Sequence, residues 1–212
     1  VDEGGIVKVI GEHLVILRRG KLFTVSVADG GLTPVDSINA FPPGVTGQGD
    51  WYDEMLVKGD LVVVVGYSYA RGGTEVNRFR MSPDGRLTFV DAHHLRSSDY
   101  YSSENYASRI VGDQLIVYAP RHLNRDDDLE DMLPGVSRWT QGQKEPVFKR
   151  LAAAREVFIP APLLRRRANT VEAMHTVTRC DLTAPQFECQ GTAVLGPSGR
   201  TFFVSRNAIY VW

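Results

Sequence analysis

Aromatic and acidic residues gather in two short stretches of this 212-residue chain. One is Gly49-Asp50-Trp51-Tyr52-Asp53-Glu54; the other is Arg96-Ser97-Ser98-Asp99-Tyr100-Tyr101-Ser102-Ser103-Glu104-Asn105-Tyr106. Trp51, Tyr52, Tyr100, Tyr101 and Tyr106 are of the type that stacks on sugar rings or grips a peptide, with Asp53, Glu54, Arg96 and Asp99 supplying hydrogen bonds. Two carboxylates such as Asp53 and Asp99 would also suit acid–base chemistry, given a separation that spacing alone does not set. The same side chains would serve equally to pack neighbouring sheets and satisfy buried backbone groups.

Other chemistries find less support. Gly66-Tyr67-Ser68-Tyr69-Ala70 falls short of the Gly-x-Ser-x-Gly elbow, and the residues after it read as a strand, not the helix that the elbow needs. The five histidines, His13, His93, His94, His122 and His175, show neither helical i, i+4 nor strand i, i+2 ligand spacing. His93 and His94 are neighbours on a predicted strand and point to opposite faces. The acidic run from Asp126 to Asp131 lacks the alternating pattern of a calcium loop, and carboxylates in the first turn of a helix explain it. Arg165-Arg166-Arg167 reads as a solvated edge, and no Gly-rich phosphate loop opens a helix. The expectation is therefore no metal, no cofactor and no catalytic residue.

The elements that would position the aromatic stretches are strands. Ile6–Ile16, Met55–Val64 and Arg109–Val117 are each an apolar strand, a tight turn with Gly, and a second apolar strand; Phe203–Val211 is a weaker fourth copy. Each of the first three is followed by a second, more alternating hairpin, turning at Asp29-Gly30-Gly31, at Ser82-Pro83-Asp84-Gly85 and at Ala184-Pro185. Continuous apolar runs mark strands covered on both faces, and alternation marks partly wet ones. Four strands per unit, recurring at about 50 residues, is the blade pattern of a β-propeller. A blade cannot cover its own faces, so the units must stack around an axis.

The predicted fold is thus all-β, a partial β-propeller of four-stranded antiparallel blades. Blade 1 covers about 4–41, blade 2 about 51–96, blade 3 about 105–196, and the start of blade 4 about 200–212. An insertion over about 121–169 lies between the second and third strands of blade 3. It holds one predicted short helix starting after Asn124 and another within 144–156. About three and a half blades do not close a ring, so further blades or another chain are expected to complete it. The links into blades 2 and 3, which hold the aromatic stretches, would both border one face near the axis.

Cys180 and Cys189 flank the Ala184-Pro185 turn, where they would face each other across a hairpin. A bridge there would stabilise by roughly 2–3 kcal/mol. Two free thiols in a cytosolic protein are the alternative; the hairpin placement favours the bridge, and with it a periplasmic or extracellular location. The chain opens on Val1, which reads as a processed or trimmed product. A net charge of −1 gives no electrostatic footprint for nucleic acid. No apolar run approaches the roughly 20 residues of a membrane-spanning helix.

In Gly4–Val9, Trp51–Val57, Gly66–Glu75, His94–Ser103 and Gly199–Ser205 the chain resembles the secreted bacterial and archaeal β-propeller-domain proteins, a family of uncharacterised function. The resemblance implies an exported propeller whose repeats extend past Trp212, and it brings no activity, ligand or catalytic residue to carry over. The expected function is a non-enzymatic binding or scaffold module of the cell envelope, with a carbohydrate or peptide as its ligand. The alternatives are an exported hydrolase or lyase acting on a polysaccharide or peptide, and an assembly subunit that completes a ring with another chain.

Overall fold

A computed structural model describes residues 1–71, 73–98, 107–124, 126, 128–143, 145–165, 171–184, 186–199, 202–205 and 207–211. After a two-residue strand, β1 (Asp2–Glu3), the first blade is a four-stranded antiparallel sheet of β2 (Val7–Ile10), β3 (His13–Arg18), β4 (Lys21–Ser26) and β5 (Thr33–Asn39) in sequential order. The second blade holds β6 (Asp50–Lys58), β7 (Leu61–Ser68), β8 (Gly73–Met81) and β9 (Leu87–Leu95). The third is built on β10 (Ser108–Val111), β11 (Gln114–His122), β15 (Ala173–Asp181) and β16 (Glu188–Gly196), and a last hairpin pairs β17 (Phe202–Val204) with β18 (Ile209–Val211). The all-β, blade-by-blade architecture expected from the repeats is the one observed.

The continuous apolar run of β7 has a direct cause. Val62 and Val64 pack toward the first blade, against Val15, Leu17 and Leu22. Leu61, Val63, Val65 and Tyr67 pack toward the third, against Ile110, Leu115, Val117 and Phe187. Successive side chains of a strand point to opposite faces, so a sheet sandwiched between two others is apolar at every position. The innermost strand β6 touches β2, β3 and β10, as inner strands do around a common axis.

Sheet edges are covered from two directions. On the inner side, Gly5 bridges Met55 of β6, with Met55 N–H donating to the Gly5 carbonyl at 2.8 Å, and β1 pairs with β10. On the outer side the insertion supplies the cover. Its strands β12 (Gly135–Arg138) and β13 (Lys149–Arg150) extend the second blade beyond β9, and β14 (Val157–Phe158) runs parallel along β16 of the third. These pairings give the second and third blades partners at both edges, where an open row of backbone groups would otherwise stand.

The insertion differs from its sequence reading. Its first helix, α1 (Leu129–Met132), starts five residues after Asn124, where the Asp128 carbonyl accepts from Asp131 N–H and Met132 N–H at 3.0 and 3.1 Å. The polar residues ahead of it offer nothing to bury, whereas Leu133 just after it is sealed in a small core with Met174 and Ala193. The helix predicted within 144–156 is replaced by β13 and a single 3₁₀ turn at Ala154–Glu156. Pro146 lacks an N–H to donate, and backbone pairing with β12 captures Lys149 and Arg150 beyond it. A second short helix, α2 (Ala161–Arg165), forms further on.

Candidate functional site

The second blade carries a row of four residues, one per strand. Tyr52 pairs with Gly66, Gly66 with Glu75, and Glu75 with His94. Residues directly opposite in a ladder share a face, so these four lie side by side near one end of the sheet, where β6 and β8 begin and β7 and β9 end. Gly66 makes room for its neighbour: a Cβ there would stand 2.5 Å from Tyr52 Cδ1 and 2.3 Å from the Trp51 carbonyl oxygen. Tyr52 then lays its ring across Gly66 and donates its hydroxyl to Glu75 Oε2 at 2.6 Å.

Glu75 is the hub of this row. Arg71, from the turn between β7 and β8, donates Nε to Glu75 Oε1 at 2.7 Å and Nη2 to Asp50 Oδ2 at 2.6 Å. His94 Nε2 lies 2.8 Å from Glu75 Oε1, and Asn77 Nδ2 donates to Oε2 at 3.3 Å. The side chains of Asp50 and Glu75 are fully buried, while Arg71 is 18% exposed. Burial alone would raise Glu75, but the hydrogen bonds and charges of His94, Arg71 and Tyr52 outweigh it and hold the carboxyl down at about 2. Burial, and then the Glu75 charge, push the Tyr52 phenol well above its ordinary range. A carboxylate that is ionised at all working pH, with both oxygens engaged, is neither a general acid nor a free base. It ties β6, β8 and β9 to the turn that follows β7.

Glu54 makes a different tie, between blades. It accepts N–H bonds from Ala107 at 2.8 Å and Ser108 at 3.1 Å, together with the Ser108 hydroxyl, at the entry to β10. Burial raises its pKa to about 7, against the lowering effect of the Ser108 and Ala107 bonds. Asp53 is the extra residue of a β-bulge between Tyr52 and Glu54. Arg96 faces the insertion instead: its guanidinium sits 4.5 Å over the Phe148 ring, donates to the Leu133 carbonyl at 3.3 Å, and pairs with Asp131 at 3.4 Å.

The exposed chemistry at this end is aromatic. Trp51 stacks on Tyr67 with centroids 6.3 Å apart, Tyr67 meets Tyr69 edge-on at 5.0 Å, and Tyr69 is 58% exposed. Of the residues singled out from sequence, Trp51, Tyr52, Asp53 and Glu54 lie together on β6, Arg96 comes directly after β9, and Asp99, Tyr100, Tyr101 and Tyr106 lie outside the described residues. Arg71, Glu75, His94, Tyr67 and Tyr69 escaped the sequence reading. Tyr67 was out of its reach, because the bulge at Asp53 shifts the register by one: the pairing of Met55 with Val64, carried on unbroken, would set Trp51 opposite Ser68, whereas Trp51 stands opposite Tyr67. Ser68 is fully buried, and its hydroxyl accepts the Arg71 N–H at 3.1 Å, as in a plain turn.

Cys180 and Cys189 form a disulfide, directly paired between β15 and β16, which fits an exported protein. Among the described residues no three His, Cys, Asp or Glu side chains converge as a metal-binding set, and no helix is long and apolar enough to cross a membrane. No curated protein and no solved structure gives a significant match to the chain. A family model described as a β-propeller domain matches residues 1–212. With its sheets stacked blade on blade and this match over its whole length, the chain belongs to the β-propeller domain family.

Proposed function

We propose that this protein is a non-enzymatic binding or scaffold module of the cell envelope, in a periplasmic or extracellular setting. One observation carries the reading. Glu54 and Glu75, buried near the aromatic row, have both carboxylate oxygens engaged in internal bonds and Asp50 is paired with Arg71, while the aromatic row opens to solvent at Tyr69. The ligand face is the end of the second blade that carries Trp51 and Tyr69; Asp99, Tyr100, Tyr101 and Tyr106 are assigned to it from the sequence alone. Flat rings beside polar groups suit a carbohydrate or a peptide.

A glycan and peptide array probed with the purified protein tests this. Binding that drops tenfold or more in Tyr69→Ala and Tyr100→Ala, with the unfolding midpoint unchanged, supports it. Turnover of a glycan or peptide that disappears in Asp53→Asn or Asp99→Asn, at an unchanged unfolding midpoint, would establish the hydrolase or lyase alternative in its place.

A second reading, assembly with a further blade, rests on the first sheet. Val7, Val9, Ile16, Phe23 and Val25 form an apolar face on the side away from the second blade, with Val9 65% exposed. Their counterparts in strand register on the second blade are Met55, Val57, Val64 and Phe79, which pack on the first blade, and the buried Asn77. The occupant that fits is another four-stranded blade of the same alternation. Light scattering across a concentration series checks whether a second copy serves; a monomer at all concentrations would remove that source.

A further inference from the structure

A cleft of about 790 Å³ opens between the outer parts of the second and third blades, away from the aromatic row. One wall is the margin of the second blade. Arg138 on β12 is directly opposite His93 on β9, and Lys149 on β13 is directly opposite Val136, so these side chains share one surface. Phe187 closes the base, fixed between the His93 ring at 4.4 Å and the Arg78 guanidinium at 4.8 Å.

The charges lining this cleft divide into committed and uncommitted ones. Asp91 is held by both arms of Arg78, at 2.7 and 2.6 Å. Asp181 is held by Thr183 and the Ala184 N–H. Arg138 and Lys149 form no ion pair among the described residues, and Arg179 rests on the neutral amide of Gln190 at 2.9 Å. Against these cations only Glu188 stands among the lining acids without such an engagement. Counting Arg78 with its partner Asp91, four cations meet three carboxylates here, a surplus of one positive charge in a protein whose net charge is −1.

The remaining lining mixes apolar side chains, Val136, Val147 and Leu151, with amides suited to hydroxyl groups. Gln114, Gln186 and Gln190 each bring an amide that both donates and accepts. His93, with a side chain only 6% exposed, leaves its Nδ1 without a hydrogen bond and lies 3.7 Å from Asp91.

We propose that this cleft binds an acidic, polyhydroxylated ligand, a uronate-type sugar chain, with its carboxylate on Arg138 and Lys149 and its hydroxyls on the glutamine amides. The site is separate from the aromatic row, and either can fail alone.

Titration calorimetry with a trigalacturonate, its neutral trigalactose counterpart and a tri-glutamate peptide provides the test. The expected result is tenfold or greater preference for the uronate. The double variant Arg138→Gln/Lys149→Gln should lose that preference at an unchanged unfolding midpoint, and Tyr69→Ala should retain it. The proposal is overturned by equal binding of the neutral sugar, by no uronate binding, by tighter binding of the peptide, or by loss in Tyr69→Ala with the double variant unaffected.

Discussion

The first and second blades share a strand pattern and differ in what surrounds them. The second is covered on both faces, bridged by Gly5 at its inner edge and extended by β12 and β13 at its outer edge. The first packs on one face, and both of its edge strands, β2 and β5, lack a further partner strand among the described residues. The position of Glu75 shows the consequence. Its counterpart in strand register on the first blade is Lys21, an exposed residue. A buried charge network is tolerated only where neighbours exclude water and every member finds a partner. The same hairpin scaffold thus carries an ion-paired brace in one blade and a wet surface in the other.

The largest expected effect comes from breaking that brace. Glu75→Leu leaves Arg71 and the Tyr52 hydroxyl buried without their acceptor, and should cost about 3–5 kcal/mol. Lys21→Leu, at the matched position, should stay within about 0.5 kcal/mol. Urea unfolding of the two variants measures the contrast directly. Equal losses would mean that the first blade is as enclosed as the second.

A matched apolar pair sharpens it further. Met55 is fully buried and Val7, its counterpart, is 49% exposed. Met55→Ala should cost about 2–5 kcal/mol through lost burial and a cavity, and Val7→Ala about 0.5 kcal/mol or less. If a further blade covers the first one, Val7→Ala becomes costly in that assembly alone. Somewhat smaller is the disulfide, which closes a short loop in the third blade: Cys180→Ala/Cys189→Ala should lose about 2–3 kcal/mol, read as a lower unfolding midpoint in the absence of reductant.

The fold was legible because its signals are local. Gly59 at φ +57° and Gly112 at φ +60° sit in the tight turns that set hairpin register, and alternation against continuity separated wet from enclosed strands. The Cys180–Cys189 pairing came from the same register. The insertion was harder to read, because β12 to β14 are two to four residues long and owe their strand conformation to edges far away in sequence. The Glu75 network was hidden for a related reason. Its side chains come from three strands, β6, β8 and β9, and from the turn after β7, so no spacing in the chain displays them together. The notable acids of the sequence, Asp53 and Glu54, drew attention by adjacency, yet Glu54 is a tie between blades.

The smallest and most discriminating effect is in pH dependence, because two displaced groups of the second blade oppose each other. Glu54 is raised by burial to about 7 from 4.5, so the stability linked to it is present below 4.5 and lost as pH rises through 7. His93 is lowered by burial to about 4 from 6.5, with Asp91 partly opposing, so its contribution is present above 6.5 and lost as pH falls through 4. Each slope approaches about 1.4 kcal/mol per pH unit, with opposite sign, where the windows overlap. The native protein should therefore show a nearly flat profile between these values. Below it, stability should fall as Glu75, with a pKa of about 2, takes up its proton. Glu54→Gln removes one slope and should leave stability falling as pH drops from 6.5 toward 4.5; His93→Gln should leave it falling as pH rises over the same interval. Urea midpoints at half-unit steps decide the matter, and profiles in both variants that run parallel to the native one would show that these two buried groups do not balance each other.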